Sequence, residues 1–183
     1  GIVLAKGALT SKSSGEGDIR RRMIEEGNLI DCIVNLPAKL FLNTQIPAAL
    51  WFLARDRTNH RFRNRSGEIL FIDARNMGTL INRRTRVLTP EEIETISNTY
   101  HNWRNVDGNY VDVKGFCASV SLADVKAKDY VLTPGRYVGL PEEDDDFDFA
   151  ERFASLQKEF AEQLEEEKRL NAAILESLEK VGI

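Results

Sequence analysis

Apolar runs of strand length alternate with segments of helical period through the first half of the chain, the pattern of an α/β sheet. Ile2 to Ala5 reads as a buried strand end, followed by a loop of small and polar residues from Ser11 to Gly17. Asp18 offers an N-cap for a helix through Ile19, Met23 and Ile24 that stops at Gly27. Leu29 to Leu36 is a second strand, broken by Pro37, and Ile46 to Ala54 a third, rich enough in bulky residues to be buried on both faces. Glu68 to Ala74 also has strand composition, and pairing it with the preceding run across the loop Thr58 to Gly67 predicts a hairpin. Thr89-Pro90-Glu91-Glu92 is a strong helix start, with Ile93, Ile96 and Tyr100 as the buried stripe. A short strand at Phe116 to Val120, a short helix over Leu122 to Ala127 capped by Ser121, and an extended segment from Tyr130 to Gly139 complete this part.

From Phe147 to Val181 the sequence has neither Pro nor Gly and reads as one long helix, roughly 50 Å at about 1.5 Å per residue. Its apolar positions, among them Phe153, Leu156, Phe160, Leu164, Leu170, Ile174 and Leu178, are mostly three or four apart. Glu165 to Arg169 interrupts the stripe. Such a break marks a hinge between two packed halves or a place where a helix leaves its own domain for a partner; packing on its own body is the alternative. The acids Glu142 to Asp146 read as a linker, since they lack the spaced ligands of a calcium loop. The resulting division is 1–104, an irregular connection at 105–140, and an acidic linker with an assembly helix at 141–183.

Composition narrows the class without naming it. The 183 residues are 42% hydrophobic and 30% charged, a globular balance, and no apolar stretch approaches the roughly 18 residues of a membrane span. Cys32 and Cys117 lie far apart with no C-x-x-C spacing, and Cys32 is inside an apolar run, so a buried free thiol at Cys32 and a reducing cytoplasm are expected. The net charge of −4 conceals a basic body and an acidic tail: residues 1–140 carry 20 Lys and Arg against 15 acids, residues 141–183 only 5 against 14. Positions 55–86 hold nine arginines against three acids. Arg61, Arg63, Arg65, Arg83, Arg84 and Arg86 are accordingly candidate contacts for phosphate oxygens, the alternative being a solvated loop face.

His60 and His101 have no partners at ligand spacing, so no metal site is expected. There is no G-x-S-x-G elbow, no P-loop and no G-x-G-x-x-G, and Gly15-Glu16-Gly17 before a helix is better read as a flexible loop than as an anion cradle. Local chemistry alone does not make this chain a complete enzyme. What carries a functional reading is a succession of motifs. After the first strand come Gly7-Ala8-Leu9, then Ile19-Arg20, then Leu36-Pro37 with Leu40, Phe41, Thr44 and Ile46-Pro47-Ala48. Ile72-Asp73-Ala74-Arg75 follows, and finally Tyr130, Leu132, Pro134, Arg136, Tyr137 and Val138.

This order resembles the modification (M) subunit of type I restriction-modification systems, in the DNA adenine-N6 methyltransferase family, over essentially the whole chain. The family usually has Pro-Asn where Ala5-Lys6 stands here. The resemblance implies an α/β fold: the C-terminal part of a Rossmann-like class I methyltransferase sheet, mixed and with a hairpin, then a helical region and a long C-terminal helix. It makes Phe41 the residue that stacks on a flipped-out adenine, with Asn43 and Thr44 on the same rim. An extruded base needs a π-face to replace its lost stack, although packing beside Leu40 and Leu42 is an equal alternative.

The family's S-adenosylmethionine loop and catalytic N-P-P-[FY] both lie upstream of the matched region and do not occur here. With Gly1 in place of a start, the chain is therefore expected to be a C-terminal fragment that holds no cofactor and has no methyl-transfer activity of its own. The implied partners are the specificity (S) subunit, a second M subunit, the restriction (R) subunit and double-stranded DNA. A non-catalytic interaction module with a coiled-coil helix is the competing expectation.

Overall fold

The computed structural model describes residues 1–141 and 149–181. It divides into two compact units, Gly1–Glu142 and Glu143–Ile183. In the first, β1 (Ile2–Ala5), β2 (Ile30–Asn35), β3 (Ala48–Leu53), β4 (Glu68–Asp73) and β7 (Cys117–Ser121) form one five-stranded mixed sheet in the order β1-β3-β2-β4-β7. β3 runs antiparallel to both β1 and β2, β4 parallel to β2, and β7 antiparallel to β4. A separate ribbon pairs β5 (Thr79–Leu80) with β6 (Arg86–Val87). The helices are α1 (Glu16–Glu25), α2 (Pro90–Arg104) and α3 (Leu122–Ala127), with α4 (Phe149–Val181) in the second unit.

Alternation along the strands builds two cores. Ile69, Phe71, Ala49 and Trp51 face α1, α3 and the segment 130–138. Leu70, Ile72, Cys32 and Val34 face the other way, against Trp103 of α2. β2 carries a bulge at Asp31: Ile30 pairs with Leu53 but Cys32 with Phe52, so one residue of β2 has no counterpart on β3. A bulge re-aims the side chains around it. Ile30 and Ile33 consequently share one face of the sheet.

The expected hairpin between Ala48–Leu53 and Glu68–Asp73 does not form. β4 sits on the far side of β2 from β3, because the loop 54–67 crosses β2 and is fastened there by arginines bound to Asp31. An apolar run of five or six residues specifies a strand but not its neighbour. Ile2–Ala5 is likewise no buried strand end: with only β3 beside it, β1 is an exposed edge. β3 is buried at Ala48, Ala49 and Trp51 but only partly at Leu50 and Phe52, so it is not covered equally on both faces.

The helix boundaries follow local chemistry. Thr89 forms a reciprocal capping box with Glu92 and Pro90 takes the first turn, as expected of that sequence. The anchor of α2 is Trp103, fully buried, whereas Ile93 of the expected stripe is 54% exposed. Ser121 caps α3 through Asp124 N–H. α1 begins at Glu16, two residues before the expected cap, on Gly15 in the left-handed region. The segment 130–138 straps one face of the sheet: Leu132 N–H donates to Leu9 O at 2.9 Å, Tyr137 stacks on Phe71, and Pro134–Arg136 forms a single 3-10 turn.

In α4 every described side chain, residues 152–178, is exposed, including Phe153, Leu156, Phe160, Leu164, Leu170, Ile174 and Leu178. The break in its stripe holds two ion pairs, Lys168–Glu165 at 2.7 Å and Arg169–Glu166 at 2.6 Å. The acids Glu142 to Asp146 lie outside the described residues.

Candidate functional site

The turn after β2 is built by Pro37, which ends the strand, and by Lys39, which takes a left-handed conformation with φ of 69°. Leu36 N–H donates to Ala48 O at 2.9 Å and closes the loop onto the start of β3. Within it Phe41 and Thr44 form an isolated β-bridge, and Thr44 Oγ1 accepts from Ile46 N–H at 3.1 Å. Lys6 N–H donates to Pro47 O at 3.1 Å, which ties the end of β1 to the same turn.

Together these elements enclose an open cleft of about 250 Å³, lined by Val3, Leu4, Ala5, Phe41, Thr44, Ile46, Pro47 and Ala48. Phe41 belongs to neither core and is 39% exposed; Leu42 beside it is 94% exposed. Asn43 is exposed in the turn and does not line the cleft. Phe41 and Thr44 are thus brought together on one apolar wall, and Asn43 is not.

The basic stretch separates into two kinds of arginine. Arg57 and Arg65 are buried, and both Nε atoms donate to Asp31 Oδ1, at 2.9 and 3.1 Å. Asp31 Oδ2 accepts from Tyr100 Oη at 2.8 Å. Arg57 also donates to Asn28 Oδ1 and Glu68 O. Burial opposes the charge on Arg57 and lowers its pKa, while Asp31 acts to raise it. Tyr100, desolvated and donating to the same carboxylate, is pushed up to about 12.

Arg65 is therefore a structural tie and not the phosphate contact expected of it, because its guanidinium is enclosed with its counter-charge. Arg63 is half-committed: it pairs with Glu68, donates to Trp103 O and lies 4.7 Å above the Trp103 ring. Arg86 spends its guanidinium on the carbonyls of Met77 and Gly78, at 2.8 and 2.9 Å. Arg61, Arg83 and Arg84 are exposed. None of these three has a carboxylate partner among the described residues.

Sequence reasoning missed Asp31 as the hub of this network. The signal was present as a lone acid inside the apolar run Leu29 to Val34. It also missed the buried contact between the ends of β2 and β4, where Asn35 Nδ2 donates to Asp73 Oδ1 at 3.1 Å. Both cysteines are free and buried, and desolvation raises their thiol pKa values. Among the described residues no group of His, Cys, Asp and Glu is arranged to hold a metal, and no helix is long and apolar enough to cross a membrane.

The fold is thus a mixed α/β sheet with an exposed aromatic turn at the end of its strands. The N-6 DNA methylase family matches residues 1–146, and the chain belongs to that family. It is 42% identical to the type I restriction enzyme HindI methylase subunit of Haemophilus influenzae, over 99% of this chain and 39% of that protein. It is 35% identical to the MjaIX methylase subunit of Methanocaldococcus jannaschii, over the whole of this chain and 32% of that one. The chain thus spans well under half the length of these relatives.

Among solved structures, a type I restriction-modification methyltransferase subunit from Streptococcus thermophilus superposes with a TM-score of 0.61 at 33% identity, covering 75% of this chain and 26% of that one. The EcoKI M protein, at 15% identity, shares the fold with a TM-score of 0.54, over 87% of this chain and 38% of that one.

Proposed function

We propose that this chain is the C-terminal part of a type I modification subunit, whose complete form transfers methyl from S-adenosylmethionine to the N6 of adenine in double-stranded DNA. The match of residues 1–146 to the N-6 DNA methylase family carries this reading. In it, the sheet is the trailing part of a Rossmann-like methyltransferase sheet, and the Phe41 turn receives the extruded adenine. Phe41 offers an exposed ring on a cleft apolar except for Thr44, the kind of surface that replaces a lost base stack. Asn43 would reach the base from the outer side of the turn. Arg61, Arg83 and Arg84 would hold phosphates, in a sequence-independent and salt-sensitive way, with Arg63 in support and Arg86 holding the ribbon in place.

The residues at this cleft do not fit the cofactor. They include no carboxylate for ribose hydroxyls and no glycine-rich loop for close backbone approach. We therefore assign cofactor binding and the catalytic N-P-P-[FY] to parts of the parent protein outside this chain. Calorimetric titration of the chain with S-adenosylmethionine should show no binding, and tight binding would overturn the fragment reading.

The exposed stripe of α4 favours a second role, assembly in the cytoplasm with the specificity subunit and a second modification subunit, to which the restriction subunit is added. Leu156→Glu with Leu164→Glu should abolish co-purification of the parent protein with its specificity subunit while leaving residues 1–141 folded. Retained assembly would remove α4 from the interface.

A further inference from the structure

The Phe41 turn and the exposed arginines Arg83 and Arg84 are joined in the fold. The β5–β6 hairpin is fastened to the Phe41 turn: Arg86 N–H donates to Lys39 O at 2.8 Å, and Lys39 Nζ donates to Arg83 O at 3.1 Å. Lys39 is two residues from Phe41, a reach of at most about 7 Å along the chain. The base of the hairpin is fastened as well. Glu92 Oε1 accepts from Gly78 N–H at 2.6 Å while its Oε2 accepts from Thr89 N–H at 2.8 Å, so one carboxylate both caps α2 and holds the ribbon.

Gly78 has a φ of 83°, and a Cβ there would meet Val87 O at 2.9 Å, so the ribbon passes over itself where only glycine fits. The Arg86 guanidinium closes the same corner on two carbonyls. At the tip, Ile81 N–H donates to Thr85 O at 3.0 Å and Arg84 N–H to Asn82 Oδ1 at 2.8 Å. This leaves Arg83 and Arg84 projecting from an ordered turn with no ion-pair partner among the described residues.

We infer that the hairpin 79–87 is a preset finger that grips the phosphates flanking the extruded adenine, with Arg83 and Arg84 as the contacts and Lys39, Arg86 and Glu92 as positioning residues. The inference rests on the reading of the Phe41 turn as the place that receives the base. Its physical content is that extrusion swings a nucleotide about its own backbone, so the adjoining phosphates must be held in fixed relation to the receiving ring. A guanidinium on a tethered turn does this at lower ordering cost than one on a free loop. It also separates two roles within one arginine cluster: Arg86 aims the finger and Arg83 and Arg84 touch DNA.

The test uses the assembled full-length methyltransferase and a duplex with 2-aminopurine at the target adenine. Arg83→Ala with Arg84→Ala should lower the slope of log Kd against log salt by about two and weaken binding roughly tenfold at low salt. Arg83→Lys with Arg84→Lys should restore most of both. Arg86→Lys keeps the charge but loses the two-carbonyl hold, and should lower the slope although Arg86 touches no phosphate. An unchanged slope in the double alanine variant overturns the inference, as does a loss confined to subunit assembly, which would make the finger a protein contact. Phe41→Ala should leave the slope intact and change the 2-aminopurine fluorescence of the bound duplex, because it removes the ring that stacks on the extruded base. If that fluorescence is unchanged while the double alanine variant loses its slope, the base-receiving turn is wrong and the finger is cut from its link to the base, though not from DNA.

Discussion

Arg57 and Arg65 come from the same basic stretch as Arg83 and Arg84, and the two pairs have opposite fates. The first pair is buried around a single carboxylate, Asp31, which the bulge in β2 turns toward α2. The second pair stands on a ribbon tip with its charge in water. A count of positive charge treats them alike, but energetically they are different objects. A buried guanidinium is tolerated only with its counter-charge in place, and removing that partner costs far more than the pair itself contributes. An exposed one costs the fold little and remains available to an anion from outside.

The contrast is most sharply broken at its centre. Asp31→Ala leaves two buried guanidiniums without their carboxylate and should cost roughly 3–5 kcal/mol in urea unfolding; a loss below about 1 kcal/mol would mean that the first pair is not the fastening described. Tyr100→Phe removes one donor to the same carboxylate and should cost about 2 kcal/mol at neutral pH. The pH dependence has a definite sign. The phenol sits at about 12 in the fold against about 10 unfolded. The stability tied to its neutral form is therefore complete below about pH 10 and is lost as pH rises through 12. Wild type should weaken between pH 10 and 12, and Tyr100→Phe should flatten that decline.

Smaller effects are expected on the exposed side. Gly78→Ala forces a left-handed residue and a clash with Val87 O, and should cost about 1–2 kcal/mol. Hydrogen exchange should speed up at Gly78 and Arg86 and stay slow in β4. Arg83→Ala with Arg84→Ala should change stability by no more than about 0.5 kcal/mol. A larger loss would show that the tip carries structural weight and would erase the distinction between the pairs.

The parts of this fold that were legible in the sequence are those decided within a few residues. The capping box of Thr89 and Glu92 and the Ser121 cap are local hydrogen-bond patterns, and both helices start where those residues place them. The strand Ile30–Asn35 follows from an apolar run, broken only by Asp31, that ends shortly before a proline. Strand partners were not legible, because alternation gives a face and not a neighbour. The choice between a β3–β4 hairpin and a β2–β4 parallel pair turned on two arginines reaching a carboxylate 26 and 34 residues away.

The candidate site was legible in part for the same reason. The Phe41 turn is a short motif bounded by prolines, so it could be read as a unit. Its link to the hairpin runs through the carbonyl of Lys39 and the amide of Arg86, groups that every residue carries and that no sequence pattern distinguishes.

The chain has two tryptophans, and the fold places one on each face of the sheet. Trp51 lies on the α1 side, 3% exposed; Trp103 lies on the α2 side, its Nε1 donating to Ser119 Oγ at 2.8 Å beneath the Arg63 guanidinium. Each layer thus contains its own fluorophore. With Trp51 replaced by Phe, the remaining emission would report the α2 layer and its arginine network; with Trp103 replaced, it would report the α1 layer and its strap. The order in which the two faces of the sheet open is, in this protein, an optical measurement that needs no added label.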